Sequence, residues 1–155
     1  MSENFNALAP IGRVSAVVPH PNSDKLDLVT ILGYTNVANR PSPDQPRYRV
    51  GDLAVVLPEN LILPDRLIQH LDMWDHAKNR GGLAGGKGNR TKPRRAADIM
   101  SEVALCKIVW TDGRIVIEGL DVDHRLVSLS DDTVNPEGYD MADVLGITAY
   151  VVPKT

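Results

Sequence analysis

Residues 13–33, RVSAVVPHPNSDKLDLVTILG, constrain the fold most. Two apolar arms flank a dense cluster of turn formers. The first arm, residues 14–18, is rich in valine. The second, residues 26–32, alternates Leu26, Leu28 and Thr30 with Asp27, Val29 and Ile31. Between them Pro19 and Pro21 fix φ, Asn22 tolerates a left-handed backbone, and Asp24 can accept from a nearby N–H. A strand, a proline-stiffened turn and a second strand predict a β-hairpin able to nucleate a small barrel.

The rest of the chain adds further short strands. Residues 34–38 form a third, ending in a loop that holds Pro41, Pro43 and Pro46. Residues 53–57, LAVVL, are a nearly continuous apolar strand stopped by Pro58. A linker, residues 59–63, leads to PDRLIQHLDMW, where Leu67, Ile68, Leu71 and Trp74 fall at helical spacing. Residues 104–110 and 115–117 make a second hairpin about the tight turn Thr111-Asp112-Gly113-Arg114. Residues 126–129 suggest one more strand, and residues 138–146 a helical turn stopped at Gly146, with an extended exit. Phe occurs once and Trp twice, so valine, leucine and isoleucine must fill the interior. The expectation is a mainly β chain: a small OB-like β-barrel with one or two short helices and a long Gly/basic loop. At 155 residues one domain is expected, residues 11–153, after a lead-in of residues 1–10.

Charge is distributed unevenly. The formal net charge is −3, which by itself favours no partner. Residues 78–95, KNRGGLAGGKGNRTKPRR, nevertheless hold Lys78, Arg80, Lys87, Arg90, Lys92, Arg94 and Arg95 and no acid. These are seven of the 17 basic residues, so the other ten stand against all 20 acidic ones. With five glycines and no apolar periodicity, residues 78–103 are expected to be a flexible basic insertion. A basic run of this kind is either a solvated face or a contact surface for phosphates.

Several chemistries find little footing. Gly81 to Lys87 satisfies G-x-x-x-x-G-K, the opening of a phosphate-binding P-loop. A P-loop needs a Ser or Thr next, for magnesium, and a helix after that; here Gly88 follows, then Pro93 and two more basic residues. His20, His70, His76 and His124 are scattered, and none has ligand spacing with Cys106, so no metal site is expected. His20, between two prolines, is expected to pack over or bond within its turn. Cys106, in the apolar run VALCKIV, is expected to be a small buried hydrophobe rather than a nucleophile. Asp121, Asp123, Asp131 and Asp132 do not follow an EF-hand pattern. Ser101 lies outside any G-x-S-x-G elbow. No apolar stretch reaches the ~18 residues of a membrane span, and the first residues lack a signal-peptide pattern, so a cytoplasmic protein with no membrane partner is expected.

HPNSDKLDLVTILGY, then Tyr48-Arg49-Val50-Gly51-Asp52-Leu53-Ala54-Val55-Val56-Leu57-Pro58 and Ile62-Leu63-Pro64, resemble the N-terminal OB-type domain of the ATP-dependent RNA ligases of bacteria, phages and some protists. Glu137-Gly138-Tyr139-Asp140 with Leu145-Gly146-Ile147-Thr148 resembles that family's join to its nucleotidyltransferase domain. The likeness runs from about Ile11 to Pro153. The HPNSDKL turn alone also resembles the tRNA-binding module appended to some aminoacyl-tRNA synthetases. Two departures stand out. The ligases' Arg-Gly-x-x-Ser-x-Gly-Leu stretch appears here as Ala97-Asp98-Ile99-Met100-Ser101-Glu102-Val103-Ala104, in which only the serine survives. The Lys-x-Asp-Gly motif, whose lysine takes AMP covalently, is not in the sequence given.

The resemblance and the charge pattern together imply a non-catalytic domain that needs no cofactor and binds RNA or single-stranded nucleic acid. Its expected contacts are Lys78, Arg80, Lys87, Arg90, Lys92, Arg94 and Arg95. Stacking aromatics are scarce, with Tyr34, Tyr48 and Trp74 the nearby candidates. Two other readings remain open: an interaction or structural protein that keeps the fold without nucleic-acid binding, and the accessory half of a split RNA ligase that acts with a separate nucleotidyltransferase chain.

Overall fold

The computed structural model describes residues 7–111, 114–118 and 137–151. The expected turn at 112–113, the expected strand at 126–129 and the acidic cluster at Asp121, Asp123, Asp131 and Asp132 lie outside them. The fold is mainly β, with a curled antiparallel sheet and two short helices, as the spacing of apolar residues predicts. Its strands are β1 (Ile11–Pro19), β2 (Leu26–Ile31), β3 (Tyr34–Asn39), β4 (Leu53–Leu57), β10 (Ala104–Thr111) and β11 (Arg114–Ile117), in the order β11-β10-β4-β1-β2-β3. Shorter pieces complete the chain: β5 (Leu61–Ile62), α1 (Asp65–His70), β6 (Trp74–Asp75), β7 (Arg80–Gly81), β8 (Arg94–Ala96), β9 (Ile99–Ser101), α2 (Ala142–Leu145) and β12 (Thr148–Ala149). Among the described residues no helix is long and apolar enough to cross a membrane.

β1 serves two neighbours. Its first residues pair with β4, Ile11 opposite Val55, and the rest pair with β2, Val17 opposite Val29. The register shifts between Val14 and Ala16, and a bulge at that point bends the strand so that the sheet can curl. The opening hairpin is therefore the corner of the barrel. Between β2 and β3, Leu32 and Gly33 both have positive φ, 50° and 80°, the pattern of a tight hairpin turn.

β4 is buried at every position because both its faces are covered. Ala54 and Val56 point into the curl, where they meet Val14, Val29, Ile31, Tyr48 and Val103. Leu53, Val55 and Leu57 point the other way, onto a second layer that includes Leu63, Leu67, Ile68 and Met141. Cys106 belongs to this layer, and burial pushes its thiol up to about 12. It is the small buried hydrophobe expected. Asp27, on the inward face of β2, is buried too, with one carboxylate oxygen 2.9 Å from Arg40 Nε and 2.8 Å from Arg40 Nη2.

Four details differ from the sequence reading. The helix starting at Pro64 stops at His70, and Trp74 lies in β6 instead. Asp72 adopts a left-handed φ of 59°, while Asp72 N–H donates to the Gln69 carbonyl and Met73 N–H to that of Ile68. That pair of bonds ends a helix regardless of the apolar spacing beyond it. The linker after Pro58 contains β5, which pairs with β12 near the C-terminal end. Residues 8–10 are tied down: Asp140 accepts from the backbone N–H groups of Leu8 and Ala9, and Ala9 is fully buried. Finally, residues 78–103 contain β7, β8 and β9. Their pairing is made by backbone groups, so it leaves no side-chain periodicity to read.

Candidate nucleic-acid interface

Backbone contacts fix the path of the basic segment. Gly81 and Gly88 pack backbone against backbone so closely that a Cβ on either would collide with the other's carbonyl. These glycines are needed for that close approach. Lys87 is followed not by a helix but by the end of a turn and a short return, in which Arg90 makes isolated bridges to Ala84 and Ile62. The segment therefore lacks P-loop architecture. Thr91 is the inner latch: its buried hydroxyl donates to the Pro58 carbonyl at 2.6 Å and accepts from Leu61 N–H at 2.9 Å. The segment is thus fastened to the end of β4, and Lys92 emerges next to the barrel.

The β8–β9 hairpin is held from the opposite side by the turn that joins β1 and β2. His20 Nδ1 accepts from Asn22 N–H at 2.9 Å, which leaves the proton on Nε2; Nε2 donates to the Ala96 carbonyl at 3.0 Å. Asn22 Nδ2 donates to the Ala97 carbonyl at 2.9 Å. His20 is 4% exposed. As expected, it bonds within its own turn, and it also positions the hairpin that presents Arg94 and Arg95.

Ser101 closes the barrel. Its hydroxyl accepts from Val37 N–H at 3.0 Å. Beside it, Glu102 accepts from Thr35 N–H and donates its own N–H to the Thr35 carbonyl, both at 2.8 Å. The outer edge of β3 is sealed in this way along Thr35 to Val37. Asn36 donates across the seam to the Val103 carbonyl at 2.7 Å.

Beside the seam lies a cleft of about 450 Å³. It is lined by Lys92, Arg94 and Arg95, with Asn39 and Ser101 on the β3 side and Glu59 and Glu102 as its acids. A second cleft of about 410 Å³ adjoins it, and Asn36, Val37, Asn39, Leu71, Met73 and Ala104 line both. The second contains Arg40, Arg47, Lys107 and His70, basic groups outside the segment that the charge count singled out. Most of these are already paired: Arg40 with Asp27, Arg47 with Glu118 at 3.6 Å, and Lys107 with Asp52 at 3.7 Å. Burial and the Arg47 guanidinium hold His70 below the ordinary imidazole range, against an opposing pull from Glu118.

The seven expected contacts thus separate into groups. Lys92, Arg94 and Arg95 are exposed and share the first cleft. Arg80 is half-buried and does not line the cleft; it donates to the Gly86 carbonyl at 2.8 Å, as Arg94 does to that of Gly82 at 3.2 Å. Arg90 stacks on Tyr150, 4.4 Å from the ring centroid. Lys78, in the β6–β7 turn, and Lys87, at the glycine tip, are exposed but do not line the cleft. Of the aromatic candidates, Tyr48 is 3% exposed and sits in the barrel interior, and burial pushes its phenol up to about 12. Trp74 packs against the outer core layer, and Tyr34 is exposed at the start of β3. Among the described residues no group of three or more His, Cys, Asp or Glu is placed to hold a metal ion.

A small curled β-barrel with a cation-lined cleft along one edge strand is the architecture these residues define. No model of a known protein family matches the chain, and no curated protein matches it. Solved structures of the RNA ligase of Naegleria gruberi do. A variant with ATP and Mn is 16% identical with a TM-score of 0.61, over 96% of this chain and 37% of the ligase. The ligase with PPi is 15% identical, also at 0.61, over 97% of this chain and 37% of the ligase. An apo variant is 18% identical at 0.57, over 95% of this chain and 36% of the ligase. The chain therefore has the fold of one part of an RNA ligase and spans about 37% of that ligase's length.

Proposed function

We propose that this chain is a nucleic-acid-binding domain of RNA-ligase type, and that it holds single-stranded RNA without performing chemistry on it. The observation that carries the reading is the convergence of Lys92, Arg94 and Arg95 on one cleft beside the edge of β3. Three exposed cations held by a buried latch at Thr91 and a clasped hairpin form a preset electrostatic site for phosphates. Likeness in fold to part of an RNA ligase favours RNA over DNA. It also supports a partnership with a separate nucleotidyltransferase chain, which would supply the lysine nucleophile. Because Tyr48 and Trp74 are packed away, phosphate contact rather than base stacking supplies the affinity. The test is binding of a fluorescent single-stranded RNA at low salt to the wild-type chain and to a variant with Lys92, Arg94 and Arg95 changed to Gln. Failure of the wild type to bind would favour the reading as an interaction or structural protein.

A further inference from the structure

The seal along β3 is incomplete, and its open end lies in the cleft. Backbone groups of a strand alternate in direction, so successive N–H groups point to opposite edges. Arg40 N–H donates to the Lys25 carbonyl, back toward the β2 side, while Thr35 N–H and Val37 N–H point outward to Glu102 and Ser101. Asn39 N–H therefore faces the same outer edge, one step beyond Ser101, where among the described residues no further seal residue follows. Of the six residues that line both clefts Asn39 alone is exposed, so it borders the path of a ligand passing from one to the other. An asparagine amide offers one donor group and one acceptor, which pair bidentately with the N6 and N7 edge of adenine.

Building on the RNA-binding reading, we propose that Asn39 at the open end of β3 is a base-reading residue, selecting adenine in a single strand whose phosphates lie on Lys92, Arg94 and Arg95. The phosphate contacts set register and carry no sequence information; the amide reads one base. Asn36, also on β3, does not compete for this role, because its amide is buried and engaged at Val103.

The experiment compares fluorescein-labelled oligoadenylate, oligouridylate and oligocytidylate of about twelve nucleotides. Each is titrated against the wild-type chain, Asn39→Ala and Lys92→Gln. A good bidentate pair discriminates by about fivefold or more. The wild type is expected to prefer oligoadenylate by that margin, Asn39→Ala to bind all three alike, and Lys92→Gln to weaken all three equally while keeping the preference. Equal binding of the three by the wild type, or a preference that survives in Asn39→Ala, overturns the assignment while leaving RNA binding intact. Absence of binding by any oligomer overturns both.

Discussion

His20 Nε2 donates to the Ala96 carbonyl oxygen across 3.0 Å, joining the turn after β1 to a hairpin 76 residues further along the chain. This bond, with that from Asn22 to the Ala97 carbonyl, sets where Arg94 and Arg95 stand. His20→Ala removes the donor and leaves a half-buried carbonyl without it, at a cost of about 1 kcal/mol. Hydrogen exchange is expected to quicken in residues 94–101 and to change little in β4, which is buried on both faces. The same variant is expected to bind RNA several-fold more weakly although His20 touches no ligand. Unchanged exchange in that hairpin would show that the bond does not hold it.

The β8–β9 turn carries strain of its own. Ala97 and Asp98 sit at φ values of 49° and 72°, a left-handed pair usually filled by Asn-Gly. A Cβ there costs about 1 kcal/mol, so Ala97→Gly should raise stability by up to that amount. Urea denaturation checks the sign: the midpoint moves up without a change in slope.

Asp27 and Arg40 form the best-shielded ion pair among the described residues, with side chains 3% and 21% exposed. Asp27→Ala leaves the guanidinium beside an emptied core position and should destabilise by about 3 kcal/mol. The double variant with Arg40→Ala should cost less than the two single losses combined, which a double-mutant cycle measures.

Three groups shape the limits of stability against pH. His70 is held below its ordinary range by burial and by Arg47, so the unfolded chain takes up a proton first as pH falls below about 6.5. Stability should therefore decline as pH falls through that region, and His70→Asn should lessen the decline. Tyr48 is raised to about 12 by burial, so above about pH 10 the unfolded chain loses a proton that the folded one keeps. Cys106, likewise raised to about 12 by burial, adds to the same limb; stability should fall as pH rises toward 12, and Tyr48→Phe should lessen that fall without abolishing it. Denaturation midpoints across pH provide both readings.

Much of the barrel was legible because its signals are local. The alternation in β2 and the apolar run Leu53–Leu57 each describe a strand without reference to the rest of the chain. β5, β6 and β7 are two residues each and exist through backbone pairing, so no period marks them. Trp74 continues a helical spacing that Asp72 has already ended. In the site, the excess of cations was evident from composition, but the convergence of Lys92, Arg94 and Arg95 was not. It depends on Thr91 reaching Pro58 and on His20 reaching Ala96, contacts between residues distant in sequence. The rigid turn Pro19-His20-Pro21-Asn22, with His20 fixed between two prolines and Asn22 directly after the second, was the one sequence signal of a clasp. Ser101 gave a weaker one: it is the residue of 97–104 that fits the resemblance, and it proves to seal β3 at Val37.

The most direct test of RNA binding at the cleft is a salt titration of single-stranded RNA affinity, comparing the wild type with the variant in which Lys92, Arg94 and Arg95 are changed to Gln. Each phosphate contact contributes about 0.7 to the slope of log Kobs against log salt for a single strand. Three lost contacts should lower the slope by about 2 and weaken binding at low salt. An identical slope in the two proteins, or no binding by the wild type at low salt, would contradict the assignment of the cleft as the phosphate site.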